Sequence, residues 1–121
     1  GLDFAISFKK DFDFIGKDQL LKIKKQKLNN RFVMLVLKNS MPGSPLLLHE
    51  EPIYLDNDIV GKTTSGNYSF NYNKNLSFGY IRTDLSTEDL TKKNLYVEVE
   101  RKKFIVKLLK KPLKDNNYKY I

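Results

Sequence analysis

The spacing of apolar residues changes near Asn29, and this change divides the chain into two parts. Residues 2–8 alternate apolar and polar side chains, which predicts a half-buried strand. After a turn over residues 11–16, residues 17–28 carry a partial apolar stripe with lysines outside it and contain neither glycine nor proline. That pattern predicts an amphipathic helix that ends at Asn29-Asn30.

Beyond Asn29 the pattern is typical of strands. Residues 32–37 form a continuous apolar run, which predicts a strand buried on both sides. Turn-forming residues separate further β-rich segments at 46–48, 53–55, 59–65, 76–81, 95–100 and 104–109, the last closed by Pro112. Ser86 is followed by two acidic residues and predicts the N-cap of a short helix. The fold class we predict is mainly β: a small antiparallel β-barrel or jelly-roll-like domain with one N-terminal helix and a strand before it.

The same change in periodicity predicts a domain boundary. A chain of 121 residues is the size of one folded core. We expect residues 1–28 to belong to the C-terminal end of a preceding module and residues 29–121 to form a C-terminal β-barrel domain. The chain begins with Gly and has no signal-peptide pattern, so we interpret it as cut out of a longer protein.

Positive charge is concentrated near the C-terminus. The chain has 22 Lys and Arg against 14 Asp and Glu, a net charge of +8. Residues 101–121 hold eight basic residues and one acidic residue, so positions 1–100 are nearly neutral. Nineteen of the 22 basic residues are Lys, which lacks the planar fork with which Arg binds bases and phosphates. A solvated lysine-rich surface, a phosphate-binding patch and a surface for a polyanionic ligand or partner all remain open.

The residue inventory excludes most catalytic chemistry. The chain has no Cys and a single His, His49, which stands beside Glu50 and Glu51 in a polar loop and is interpreted as a surface residue. We therefore expect no catalytic residue and no metal site. The carboxylate pair Glu98 and Glu100 is expected to form a cross-strand ion pair with Lys103 or Lys107 rather than to act as an acid or base. No apolar run approaches the roughly 18–20 residues of a membrane span.

Several segments in register resemble the aminomethyltransferase family, whose type is the glycine cleavage T-protein. GLDF at 1–4 and DFIGK at 13–17 resemble the end of the folate-binding module. VGKTTSGNYS at 60–69 and LSFGYI at 76–81 resemble the G-x-[VT]-T-S-G-x-[YS]-S and A-x-[GA]-Y-[VI] stretches of the C-terminal barrel domain. Arg31 matches the basic residue before the first barrel strand. The order and spacing agree over residues 1–113, and the tail departs from the T-protein pattern.

The resemblance includes two branches, the T-protein and the FAD-linked dimethylglycine and sarcosine dehydrogenases, and the segments look closer to the second. It implies a non-catalytic C-terminal domain of a folate-dependent one-carbon enzyme. The parent would oxidise an N-methylated glycine on FAD and pass the one-carbon unit to tetrahydrofolate. Tetrahydrofolate and FAD are then cofactors of the parent, and neither is expected to bind the isolated chain. The C-terminal domain of the T-protein is the alternative.

Five residues are the candidate lip of a folate cavity or domain interface: Arg31, Thr64, Ser65, Gly66 and Tyr68. A Thr-Thr-Ser-Gly run at the end of a strand would free N–H groups and hydroxyls, and Gly66 permits a positive φ. A plain structural turn is the alternative. Arg31 is expected to pair with a carboxylate of the preceding domain or of the folate glutamate tail, unless it is a surface residue at a strand end. Tyr68, like Tyr80, is expected to be a core or interface aromatic.

The expected partner is the preceding folate-binding domain of the same chain, with no nucleic acid and no membrane. Isolated copies are expected to form a homodimer, because aromatic residues in the first 28 positions would lack the domain they pack on. The expected location is the cytoplasm, or the mitochondrial matrix in a eukaryote. The alternative of another class is a small basic barrel that binds single-stranded nucleic acid, for which Phe70, Tyr72 and Lys74 come nearest to the required pattern.

Overall fold

A computed structural model describes residues 5–26 and 29–110 of the chain. The start of the strand predicted over 2–8, the last two residues of the predicted helix, Pro112 and the basic tail lie outside the described residues. Residues 5–8 form no strand, so that prediction is wrong for its described part. A strand needs a neighbour to pair its backbone groups, and the described residues place none beside this segment.

Two helices and six strands follow in the described residues. They are α1 (Lys17–Lys25), β1 (Asn30–Leu37), β2 (Pro52–Leu55), β3 (Asp58–Ser69), β4 (Lys74–Arg82), α2 (Thr87–Lys92), β5 (Leu95–Val99) and β6 (Lys102–Leu109). The predicted helix start at 17 is confirmed, although no residue of α1 is buried. Ser86 caps α2 as predicted, accepting a hydrogen bond from the N–H of Asp89 at 3.1 Å. The candidate strand at 46–48 is not formed.

The six strands close into an antiparallel barrel in the order β1-β4-β3-β2-β5-β6, with β6 paired back to β1. The predicted fold class is therefore confirmed, as a barrel. We call the end at which β1 begins the lower end, and the end at which β1 finishes the upper end. Neither helix in the described part of the chain is long and apolar enough to cross a membrane.

The interior of the barrel is filled by aliphatic side chains from the strands and is closed at each end by a residue from a connecting segment. The buried cluster consists of Val33, Leu35, Leu37, Leu47, Ile53, Ile81, Leu90, Leu95, Val97, Val106 and Leu108. Leu90 of α2 closes the lower end, and Leu47 of the loop before β2 closes the upper end. β1 is buried on both sides only from Leu35 to Leu37, whereas Phe32 lies on the outer face, 41% exposed.

Candidate functional site

The Thr-Thr-Ser-Gly run lies inside the sheet and not at a loop lip. The prediction ended this strand at Ser65, whereas β3 continues to Ser69 and pairs with residues 74–78 of β4. Positive φ among the described glycines is found at Gly16 and Gly43 and not at Gly66. The expected loop lip is therefore wrong, and Gly66 does not use the positive φ open to glycine, because the residues that resemble a turn are held by pairing with β4.

Gly66 is required for a different reason, which is close approach of another backbone segment. The carbonyl oxygen of Leu47 would overlap with a Cβ atom on Gly66, and the carbonyl oxygen of Leu76 is 2.8 Å from the position of that Cβ atom. A side chain here would push the loop before β2 away from the barrel mouth. Gly66 thus allows the upper end to close.

A register shift between Thr63 and Ser65 makes Thr64 the extra residue of a β-bulge. The side chains of Thr64 and Ser65 are exposed, and Thr63 is fully buried. Bulges redirect side chains and are frequent beside functional sites. The two exposed hydroxyls therefore lie on the outer wall of the barrel, away from its mouth.

Glu51 is a structurally important residue that sequence analysis treated only as a neighbour of His49. Its backbone exchanges bonds with Thr63: the Thr63 N–H donates to the Glu51 carbonyl at 2.9 Å, and the Glu51 N–H donates to Thr63 Oγ1 at 3.1 Å. The Thr63 hydroxyl donates to one carboxylate oxygen of Glu51, and the N–H of Leu48 donates to the other at 3.2 Å. This network fixes the segment that carries Leu47 into the mouth.

Arg31 lies at the lower end, as the second residue of β1 and not before the strand. Its Nη1 donates to Thr87 Oγ1 at 3.0 Å, in a partly buried contact that joins β1 to the first residue of α2. A guanidinium has five N–H donors, so this bond uses only part of its capacity. Arg31 can therefore bind a carboxylate while it stays attached to α2.

The structure does not bring Arg31 and Tyr68 together. Arg31 on β1 is paired with Ile81 on β4, and Ile81 is paired with Gly61 on β3. Tyr68 is paired with Asn75, which lies six residues away from Ile81 along β4. At about 3.3 Å per residue the separation along the strands is roughly 20 Å. The five candidate residues therefore belong to different parts of the barrel, and they do not form one lip.

Tyr68 takes part in a small polar and aromatic cluster at the upper end. Its hydroxyl lies 3.3 Å from Asn73 Oδ1, and its ring meets the ring of Phe70 edge-on with centroids 5.1 Å apart. Phe70 is 84% exposed in the β3–β4 turn, which also contains Tyr72, and Lys74 begins β4. The three residues considered for nucleic-acid binding are thus confined to one hairpin tip.

Three aromatic rings stack on the outer face of β1 and β4. The rings of Phe32 and Phe78 are nearly parallel, with centroids 5.2 Å apart, and the ring of Tyr80 lies 5.3 Å from that of Phe32. Phe32 had been assigned to a doubly buried strand. A signal was present in the sequence: the small residues Ser77 and Gly79 occupy the inward positions of β4, which places Phe78 and Tyr80 outside.

A second outer cluster joins β2, β5 and β6. Glu98 stands opposite Lys103, but the predicted ion pair with Lys103 is not formed, because Lys103 Nζ lies over the Tyr54 ring, 3.8 Å from its centroid. The hydrogen bond between Tyr54 and Glu98 raises the pKa of the Tyr54 hydroxyl above its ordinary value. Lys103 thus covers part of this ring in a cation–π contact.

Groupings of potential metal ligands were sought throughout the described ranges 5–26 and 29–110. No set of three His, Asp or Glu side chains there lies close enough to bind a metal ion. His49 is exposed, as predicted from its polar surroundings.

Residues 30–115 match the family described as the glycine cleavage T-protein C-terminal barrel domain. The match includes all six strands and α2. The chain belongs to this family of β-barrel domains, and the resemblance stated from the sequence is confirmed.

More closely, it is a C-terminal barrel domain of the kind found in dimethylglycine dehydrogenases and aminomethyltransferases. Human mitochondrial dimethylglycine dehydrogenase is 33% identical over 113 residues, which are 93% of this chain and 12% of that protein. The aminomethyltransferase of Listeria welshimeri is 32% identical over 113 residues, 93% of this chain and 29% of that protein. That of Listeria monocytogenes serotype 4a is 34% identical over 84 residues, 69% of this chain and 22% of that protein. The chain spans less than a third of the length of these relatives.

Proposed function

We propose that this chain is the non-catalytic C-terminal domain of a folate-dependent one-carbon enzyme, of the dimethylglycine or sarcosine dehydrogenase type. The observation that carries the assignment to a folate-dependent enzyme is the length of two matches, to human dimethylglycine dehydrogenase and to the aminomethyltransferase of Listeria welshimeri. Each covers 113 residues, more than the barrel and tail contain, so the similarity extends into the segment before β1. The dehydrogenase type is proposed because the segments at 1–4, 14–20 and 64–69 resemble that branch more closely. The parent would oxidise an N-methylated glycine on FAD and transfer the one-carbon unit to tetrahydrofolate.

The hydrogen bonds made by Glu51, Thr63 and Arg31 support a role in which the barrel borders the folate cavity and takes no part in the chemistry. Both carboxylate oxygens of Glu51 accept hydrogen bonds that hold the upper mouth, and Thr63 is buried. At the lower end Arg31 keeps N–H donors beyond the one given to Thr87, which suits a carboxylate of tetrahydrofolate's glutamate tail or of the preceding domain. Because Tyr68 lies roughly 20 Å from Arg31 along the strands, and the side chains of Thr64 and Ser65 lie on the outer wall, we assign the folate-facing role to Arg31 alone. FAD would be held upstream of this chain.

The proposed partner is the preceding folate-binding module of the same polypeptide, of which residues 1–28 would be the end. Phe12 is 60% exposed and Ile15 fully exposed in this segment, so isolated copies of the chain are proposed to associate through it. The human relative is named as mitochondrial, which supports the mitochondrial matrix as the location in a eukaryote and the cytoplasm otherwise.

Calorimetry with tetrahydrofolate tests the proposal on two samples, the full-length polypeptide and the 121-residue chain. We expect the full-length polypeptide to bind tetrahydrofolate and to form methylenetetrahydrofolate from an N-methylated glycine, with the isolated chain doing neither. Turnover by the isolated chain would contradict the non-catalytic role. A full-length protein that binds tetrahydrofolate but shows no flavin absorbance would instead support the T-protein alternative, which the aminomethyltransferase relatives favour.

A further inference from the structure

The outer wall of β1 and β4 carries an apolar surface, which we call the aromatic face and define as Phe32, Met34, Phe78 and Tyr80. Phe32 pairs across the strands with Tyr80, and Met34 pairs with Phe78, so the four side chains form one contiguous patch. Phe32 is 41% exposed and Tyr80 is 45% exposed. The stacking described above holds the rings in place, so little rotamer freedom would be lost when a partner covers them.

The aromatic face differs from the second outer cluster, which joins β2, β5 and β6. There Lys103 lies over the ring of Tyr54, and the Glu98 carboxylate raises the pKa of its hydroxyl. At the aromatic face the nearby charged groups stand beside the rings instead. Lys62 lies opposite Tyr80 on β3 and is paired with Glu50 at 2.6 Å, and Arg82 is exposed two positions beyond Tyr80. An apolar centre with a charged border is the composition of an interface.

The position of the aromatic face along the chain indicates what covers it. The described segment before the barrel ends at Gln26 and β1 begins at Asn30, so the two are at most about 14 Å apart along the backbone. Phe32 and Tyr80 are only two rungs from the start of β1. A module joined to the barrel through residues 5–26 is therefore tethered at the end of the barrel nearer these two rings.

We propose that the aromatic face is the surface on which the preceding folate-binding module docks, an inference that rests on the proposed function. The matching surface on that module is apolar, with a carboxylate opposite Arg82. The relatives support this occupant, because the barrel is the C-terminal domain of its family and most of each relative's length lies outside the matched segment. Docking at the lower half of β1 and β4 also brings the module close to Arg31.

Hydroxyl-radical footprinting read by mass spectrometry tests the docking surface directly. Oxidation of Phe32 and Tyr80 is measured in the isolated 121-residue chain and in the full-length polypeptide. We expect both side chains to be protected about fivefold or more in the full-length polypeptide, because the centre of an interface excludes water. Phe70 and Met41, exposed on the β3–β4 turn and the loop after β1, are the internal controls and should be oxidised equally in both samples.

A pair of matched variants gives the second measurement. Tyr80→Lys in the full-length polypeptide should raise the rate of proteolysis between residues 26 and 30 about tenfold, since the barrel would no longer be held against the module. Phe70→Lys, which places a charge at a more exposed ring at the other end, should leave that rate unchanged. In the isolated chain, Phe70→Lys should leave the melting temperature unchanged, and Tyr80→Lys should lower it by only a few degrees, about 1 kcal/mol for the lost contact with the Phe32 ring.

Equal oxidation of Phe32 and Tyr80 in the two samples would overturn the docking surface. Protection that rises with the concentration of the isolated chain would also overturn it, because a second copy would then be the occupant. Tetrahydrofolate binding is measured on the same full-length sample. Binding without protection refutes only the docking surface, whereas protection without binding supports the docking surface and refutes the proposed function.

Discussion

The carbonyl oxygen of Leu47 lies directly over Gly66, where the side chain of any other residue would begin. Leu47 is fully buried and closes the upper end of the barrel. Gly66 on β3 has no side chain that would obstruct the backbone of Leu47. The loop that contributes the final part of the core therefore depends on a glycine 19 positions further along the chain.

Gly66→Ala should destabilise the chain strongly, because the added Cβ atom meets backbone and not a flexible side chain. We expect a loss of about 2–3 kcal/mol or more in the free energy of unfolding, equivalent to roughly 10 °C in melting temperature. Ser65→Ala, one position away and exposed, is the control, and its free energy of unfolding should lie within about 0.5 kcal/mol of that of the unchanged protein. Equal melting of the two variants would contradict the close approach.

Thr63→Val tests the bonds between β3 and the segment before β2. The substitution keeps the shape of a buried side chain but removes the hydroxyl that donates a hydrogen bond to the carboxylate of Glu51. We expect a loss of about 1–2 kcal/mol in urea denaturation, since the half-buried carboxylate of Glu51 loses one of its two side-chain hydrogen bonds. Thr64→Val changes the same atoms at the exposed bulge position and should cost less than about 0.5 kcal/mol. If both variants lose the same stability, the Glu51 network does not hold the mouth.

The bond between Arg31 and Thr87 should be measurable as a coupling between β1 and α2. In a double-mutant cycle with Arg31→Ala and Thr87→Val, we expect the two changes to be non-additive by about 0.5–1.5 kcal/mol. Lys62→Ala paired with Thr87→Val gives the control cycle, which should be additive because Lys62 pairs with Glu50. An additive Arg31 cycle would mean that the bond contributes nothing to stability.

The N-cap of α2 should make stability depend on pH at the acidic end. The Ser86 hydroxyl donates to the Asp89 carboxylate at 2.6 Å, and with the nearby Lys92 it lowers the pKa of Asp89 below its ordinary 3.8. A carboxyl whose pKa is lowered by folding contributes stability above its unfolded-state pKa, and that contribution is lost as the pH falls through the folded-state pKa. The expected loss therefore begins near pH 3.8 and proceeds below it.

Carboxyl titration by NMR checks this assignment in the Ser86→Ala variant. The pKa of Asp89 should rise toward its ordinary value. The pKa of Glu88, which is lowered by its own backbone hydrogen bond and by Lys110, should stay where it is. An unchanged Asp89 would show that Ser86 is not the cause.

Self-association of the isolated chain should depend on the segment before the barrel. Phe12→Ser combined with Ile15→Ser removes two exposed apolar side chains, and analytical ultracentrifugation should then detect monomers at concentrations where the unchanged chain forms dimers. Phe70→Ser removes another largely exposed apolar side chain, at the far end of the barrel, and should leave the dimer intact. A dimer that survives the double substitution would place the contact elsewhere.

Local patterns predicted the parts of this structure whose causes are local. The Ser86 cap needs only the hydroxyl and the N–H three residues later, and β5 and β6 need only alternation on either side of a turn. The strand expected over 2–8 failed because alternation does not supply a partner, and none lies beside residues 5–8 in the described part of the chain. The end of β3 was placed too early because Gly66 and Asn67, which resemble turn residues, are held in the sheet by Ser77 and Leu76.

The amino-acid sequence by itself determined the class of fold and the family, because short strands, turns and motif spacing depend on residues that are close together in the chain. Only the tertiary structure decided which residues share a surface. Register between β1, β4 and β3 separates Arg31 from Tyr68, which the motifs had joined, and brings Phe32, Phe78 and Tyr80 together from two distant segments. Strand order and barrel closure are pairings between remote parts of the chain, and a pattern of neighbouring residues does not specify them.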